Sequence, residues 1–229
     1  MFNELLWIAM LLVNFLAVLL GFRFFGKTGL YLWCGLSVVI ANIQVLKTVE
    51  LFGMVCTLGN ITYASSFFAT DILSELYGKK AAVKGVATGF FSLIIMTLLM
   101  QFAVRFVPHE SDFSQPALQA LFSLLPRVAA ASLLAYLLSQ THDIWAYDFW
   151  KRKFPSTRWL WLRNNASTII SQVIDSAVFT FAAFSGVFEM SVVIDIWITT
   201  CLFKWMVALA DTPFIYAAVR MRRFVPDDD

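Results

Sequence analysis

The chain has 229 residues, 60% hydrophobic and 14% charged, with a formal net charge of +2 and a mean hydropathy of +0.75. A soluble domain is nearer half apolar and about a quarter charged, so the fold class is all-α and polytopic, in one integral-membrane domain. The length admits up to about seven or eight spans of ~20 residues and no sizeable soluble domain.

Apolar runs predict seven spans at roughly 5–25, 30–48, 58–78, 82–106, 117–141, 165–188 and 192–220, with ends uncertain by several residues. The first run, LLWIAMLLVNFLAVLLGF, lacks a basic leader and a small-residue cleavage site, so it is expected to stay as a span. Between the second and third lies ELFGMVCTLGNITY, where Gly53, Gly59 and Asn60 are expected to break a helix or form a partly inserted loop. Further on, HDIWAYDFWKRKFPSTRWLWL joins four tryptophans to a basic cluster and is expected to lie along the headgroup layer. The terminal Asp-Asp-Asp reads as a solvated tail.

Lys and Arg collect on the cytoplasmic side of membrane proteins. With seven spans, Arg23, Lys27, Lys79, Lys80, Lys84, the cluster from Lys151 to Arg163, Arg220, Arg222 and Arg223 fall on one side, thirteen of the seventeen basic residues. That bias places the N-terminus outside and the C-terminus in the cytoplasm.

Metal and redox chemistry have no motif. Cys34, Cys56 and Cys201 are scattered singly through apolar sequence, and His109 and His142 lie far from any Cys or Glu at ligand spacing. No cofactor, metal or catalytic residue is expected. There is no P-loop for ATP-driven transport and no GxSxG. An intramembrane enzyme using Asp71 and Asp175 would lack the tyrosine and glycine contexts that surround intramembrane protease aspartates.

Intramembrane polar residues carry the functional signal. Charge at mid-membrane costs about 2.5–3.5 kcal/mol on insertion scales, and such residues face a partner or a watery cavity. At 100° per residue, Asn164, Ser167, Thr168, Ser171, Gln172 and Asp175 occupy an arc of about 140°, so the sixth span presents one inward polar stripe. Arg163, at its start, reads as a cytoplasmic-end anchor or gate residue. Asp71 and Glu75 lie one turn apart on the third span. Arg127 follows Pro126 in the fifth, and Asn42 and Lys47 end the second on its outer side. In the seventh, Lys204 is near the centre and Asp211 almost eclipses it, just before a kink expected at Pro213. These charges either pair to hold the bundle together or bind a ligand rich in hydrogen-bond donors.

Four stretches, ANIQVLK (41–47), SSFFATDILSELYGKKAA (65–82), Arg127-x4-SLLAYLLSQTHD (to 143) and WLRNNASTIISQVIDS (161–176), resemble the queuosine precursor transporters, a membrane group also described as vitamin uptake transporters. The resemblance covers about residues 40–215. It implies a multi-pass protein of the bacterial inner membrane, with an additional N-terminal helix (1–28), a six-helix core (29–220) similar to vitamin-transporter substrate-binding subunits, and a cytoplasmic tail (221–229). It also implies import of 7-cyano-7-deazaguanine or 7-aminomethyl-7-deazaguanine for salvage into the tRNA nucleoside queuosine. The alternative is a substrate-binding subunit for another nucleobase- or vitamin-like ligand that needs a separate energising module. The expected partners are the small-molecule base and the bilayer, with no nucleic acid; a homo-oligomer is left open.

For such a ligand, one carboxylate accepts from the ring N1–H and the exocyclic amine, and an amide or Arg donates to O6. Asp71, Glu75 or Asp175 would fill the first role, and Asn42, Gln172, Asn164 or Arg127 the second. Phe67, Phe68 or Tyr136 would stack on the ring. Lys47, Thr168 and Lys204 complete the candidate substrate-binding set.

Overall fold

The computed structural model describes residues 2–123, 125–186 and 189–226, so the acidic tail expected at 227–229 lies outside the described residues. Among these, seven α-helices dominate: α1 (Phe2–Gln44), α2 (Asn60–Tyr77), α3 (Lys79–Arg105), α4 (Gln115–Phe122), α5 (Leu125–Lys153), α6 (Leu160–Phe184) and α7 (Met190–Met221). An antiparallel hairpin, β1 (Thr48–Leu51) with β2 (Met54–Thr57), joins α1 to α2.

A straight α1 would be about 65 Å long. Its start nevertheless meets the chain just beyond its end: Asn3 Nδ2 donates to Glu50 O at 3.1 Å, and Phe52 N donates to Glu4 Oε1 at 3.3 Å. The reversal occurs at Gly26, whose φ of 57° and ψ of −139° fall in a region open essentially to glycine alone. Residues 2–25 and 27–44 are therefore two antiparallel passes, as the sequence reading expects. They cross most closely where a Cβ on Gly29 would lie 2.1 Å from the Gly21 carbonyl oxygen. Gly29→Val should thus lower the thermal midpoint sharply or abolish accumulation in the membrane, overpacking costing about 1–3 kcal/mol or more. Gly21→Ala, whose new atom would sit 3.7 Å from its nearest neighbour, should be tolerated. Detergent melting curves of the two variants check this, and equal midpoints would contradict the crossing.

The segment expected as a broken or inserted loop is the β-hairpin. Phe52 and Gly53 both have positive φ, 52° and 75°, as a two-residue type I′ connection requires. Phe52 packs on Trp7 and Phe203 at centroid distances of 6.2 Å, which fixes the hairpin over one end of the bundle. Gly59 follows with φ 97°, and a Cβ there would meet the Ala41 carbonyl oxygen at 2.7 Å. Hence α2 starts hard against the end of α1.

Every residue of α2 from Asn60 to Ser74 is buried. Helices α1, α3, α5 and α7 pack around it, and Phe15 from the first pass contacts Phe68 of α2 and Phe214 of α7 at 5.3 and 4.8 Å. This enclosure explains how a helix as polar as α2 sits at membrane depth: its neighbours replace lipid. Outward faces are apolar instead, with Leu20, Leu36, Phe91, Leu99, Phe102, Ile170 and Leu209 all exposed.

Taken as continuous helices, α1, α3, α6 and α7 are each long and apolar enough to cross a membrane, and α4 with α5 makes a fifth candidate as one broken span. With the two halves of α1 counted separately and α2 enclosed among them, the chain traverses the bundle seven times. One end is basic: Arg23 Nη1 donates to Phe224 O, Lys27 and Arg222 lie over the Tyr77 ring at 5.3 and 5.2 Å, and Lys84 lies over Tyr31 at 5.4 Å. At the opposite end Asp112 accepts from Ser114 Oγ and Ser114 N, both at 2.7 Å. The Ser114 hydroxyl and then its amide hold the Asp112 carboxyl below the usual range.

One expectation needs correction. Helix α5 continues to Lys153, so residues 142–153 extend a helix instead of lying flat in the headgroup layer. Trp145 and Phe149 still face outward near the basic end, because helical spacing keeps them on the outer side of α5. Helix α7 continues through Pro213, where the ring removes one backbone donor without ending the helix.

Candidate functional site

The inward stripe of α6 forms as read: Asn164, Ser167, Thr168, Ser171, Gln172 and Asp175 are all buried, while Ile170 on the reverse is 52% exposed. From Arg163 to Asp175 the stripe covers about 18 Å of helix. It meets polar side chains of α2, α5 and α7 at three levels.

At the level farthest from the basic end, Asp175 is the hub. Its Oδ1 accepts from Tyr63 Oη at 2.7 Å and from Ser139 Oγ at 3.0 Å. Its Oδ2 forms a buried ion pair with Lys204 Nζ, and that ammonium also lies 4.9 Å from the Tyr63 ring centroid. Four helices thus converge on one carboxylate. Asp175 and Lys204 line a crevice with Asn42, Asn60, Tyr63 and Thr200, enclosing about 490 Å³ of empty space including the part open to solvent. Thr57 of β2 is also on its wall, so the crevice reaches the hairpin at the end opposite the basic one. The crevice is narrow, so a planar bicyclic ligand must widen it.

One level down, Thr168 Oγ1 stands between two carboxylates, 3.1 Å from Asp71 Oδ2 and 3.3 Å from Asp143 Oδ1. Beside it Asn164 Nδ2 donates to Asp211 Oδ1 at 2.7 Å. Asp71 Oδ1, Asp143 Oδ2 and both amide atoms of Gln172 lack hydrogen-bond partners. Such groups are costly in a dry interior.

At the basic end Glu75 closes the bundle. Arg163 grips it with two bonds, Nε to Oε2 at 3.0 Å and Nη2 to Oε1 at 2.5 Å. Arg163 Nη1 also donates to the Phe154 and Ser156 carbonyls at 2.8 and 3.0 Å. Tyr147 Oη donates to Glu75 Oε2 at 3.1 Å, and Lys151 Nζ donates to Glu75 O at 2.6 Å. The Arg163 side chain is fully buried. This gathers α2, α5 and α6 into a clasp.

The candidates therefore separate. Asn42, Asp175 and Lys204 line the crevice; Asp71, Asn164 and Thr168 form the middle level; Glu75 belongs to the clasp. Gln172 is buried between the upper two levels. Phe67 is buried against Tyr63 at 5.9 Å, behind the crevice wall. Two others lie apart. Lys47 is exposed in the turn after α1, and exposed Arg127 joins α5 to the end of α6 by donating to Ser185 O at 2.7 Å.

Sequence reasoning missed Tyr63 and Ser139, which look like ordinary residues of an apolar helix, and read Asn60 only as a helix breaker. It also missed Asp143, placed beyond the assumed end of its span. Continuing the helical period of the fifth span by one turn would have put Asp143 in line with Ser139 and Gln140. No group of His, Cys, Asp and Glu suited to a metal ion occurs among the described residues.

A family model described as "Putative vitamin uptake transporter" matches residues 57–218. The chain is 48% identical over 229 residues, all of this chain and 99% of the relative, to a "Probable queuosine precursor transporter" of Bacillus subtilis (strain 168). It is 29% identical over 150 residues, 65% of this chain and 64% of the relative, to a "Queuosine precursor transporter" of Escherichia coli (strain K12). No solved structure matches.

Proposed function

The chain belongs to the queuosine precursor transporter family, and from that premise we propose that it imports a 7-deazaguanine base, bound in the crevice at Asp175. The base is 7-cyano-7-deazaguanine or 7-aminomethyl-7-deazaguanine, taken across the cytoplasmic membrane for salvage into queuosine. One observation carries the reading: a buried carboxylate, oriented by Tyr63, Ser139 and Lys204, lies on the wall of a crevice whose facing residues include the amides Asn42 and Asn60.

Guanine-like bases present N1–H and an exocyclic amine side by side. Asp175 accepts both if the Lys204 ammonium swings from Oδ2 toward the ligand O6, exchanging one charge-assisted bond for another. Tyr63 and Phe179 flank the space that the flat ring would fill. The crevice lies against the hairpin, away from the basic end, and the Glu75–Arg163 clasp is shut, so the arrangement suits the outward-facing state of an alternating-access cycle. The basic end then faces the cytoplasm, as the charge bias expects.

Purified protein in liposomes, given labelled base, tests this directly. Saturable uptake by this chain alone is expected, competed by the other deazaguanine and not by unrelated vitamins. Binding without uptake would favour a subunit that needs an energising module. No binding of either base would end the proposal.

A further inference from the structure

The middle level has carboxylates that the proposed substrate contacts do not use. Asp71 of α2 and Asp143 of α5 are both fully buried and stand on either side of one hydroxyl, Thr168 Oγ1, at 3.1 and 3.3 Å. Two ionised carboxylates have only acceptors and repel each other in a dry interior, so the arrangement favours one shared proton. Thr168 has one hydroxyl proton and cannot donate to both. The cations nearby are committed: Arg163 to Glu75, Lys204 to Asp175, and Lys27 and Lys84 to Tyr77 and Tyr31 at the basic end. The other titratable groups facing the pair are Glu75 from α2, His142 and Tyr147 from α5, and Asp211 from α7. None of them supplies a lasting positive charge.

A second observation points the same way. Gln140, fully buried one turn before Asp143, accepts from Thr70 Oγ1 at 3.2 Å and leaves Nε2 without a partner. Asp71 Oδ1 and Asp143 Oδ2 are likewise unpartnered. A route leads outward as well. Ser171 Oγ, on α6 one turn beyond Thr168, is 2.9 Å from His142 Nδ1, and His142, next to Asp143 on α5, lines a lateral groove between α3 and α5 with Lys79 and Thr141.

We infer that Asp71 and Asp143 form a proton-binding pair that couples entry of the base to entry of one proton, with Ser171 and His142 as the proton's route toward the basic end. No covalent bond changes except the carboxyl O–H: a proton joins the pair from the outer medium and leaves it inward. Coupling to conformation follows from helix spacing. Asp71 and Glu75 are four residues apart on α2, Asp143 and Tyr147 four apart on α5, so the acid pair and the Glu75–Tyr147 bond are successive rungs between the same helices. The protonated upper rung holds α2 to α5. Ionised, two like charges repel, and the clasp one turn below loosens toward the cytoplasm.

This rests on the transport reading, and the test separates the two. In liposomes, labelled 7-cyano-7-deazaguanine should accumulate up to about tenfold per unit of pH gradient, acid outside, since a tenfold ratio corresponds to about 1.4 kcal/mol. Asp143→Asn should keep base-for-base counterflow and lose gradient-driven accumulation; His142→Ala should slow accumulation without changing its limit. Accumulation indifferent to the gradient, or unimpaired in Asp143→Asn, overturns the coupling. Absence of counterflow in the unmodified protein overturns the transport reading instead. A substrate-free infrared titration then still decides the proton site: the protonated-carboxyl band should lose intensity or shift in Asp143→Asn relative to the unmodified protein, and an unchanged band refutes the pair.

Discussion

Asp175→Asn is expected to lower uptake at least about 100-fold while the protein still reaches the membrane. The amide keeps the side chain's shape but leaves Lys204 buried without its counter-charge, and removing one partner of a buried ion pair costs about 3–5 kcal/mol. Part of that loss is stability and part is ligand affinity. Lys204→Met in the Asp175→Asn background distinguishes them: the double variant should recover much of its thermal midpoint, because no charge is then stranded, and should recover no uptake. Restored uptake in the double variant would mean that Asp175 serves only to neutralise Lys204.

Arg163→Ala should destabilise the protein more than any other single change at the basic end. The substitution strands Glu75, itself only 11% exposed at its side chain, and removes the donor that the Phe154 and Ser156 carbonyls share. A loss of about 3–5 kcal/mol is expected. Arg163→Lys should restore little, since an ammonium cannot reproduce the two-pronged bond to the Glu75 carboxylate. The variant should also open the bundle from one side. A cysteine placed at Ser74, buried next to Glu75 on α2, should react with a membrane-impermeant thiol reagent from the basic end in Arg163→Ala and resist it otherwise. Equal protection in both backgrounds would show that the clasp does not close the pathway.

The polar stripe of α6 was readable because its period is strict: hydroxyls, amides and one carboxylate recur at three- and four-residue spacing against an aliphatic reverse face. The same arithmetic located Asp71 and Glu75 on one face of α2. What spacing within single helices could not give was the assignment of levels, because these depend on which residues of α2, α5 and α7 stand opposite. Arg163 and Glu75 meet across 88 residues, and Asp175 meets Tyr63 across 112. Arg127 was misleading for a related reason. Its helix enters the bundle near that position, so a charge counted as intramembrane sits at the rim and ties down the α6 terminus. Asp143 was hidden by a boundary drawn too early, since hydropathy falls at Thr141 although the helix continues. The β-hairpin left a clear trace in the Gly53 and Gly59 breaks, but not its place on the wall of the crevice.

Equilibrium binding of labelled 7-cyano-7-deazaguanine to purified protein in detergent, compared between the unmodified chain, Asp175→Asn and Asp143→Asn, tests the central claim most directly. Saturable binding by the first and third, with none by a folded Asp175→Asn, is the predicted result. Undiminished binding by Asp175→Asn would place the substrate elsewhere and contradict the assignment of the crevice.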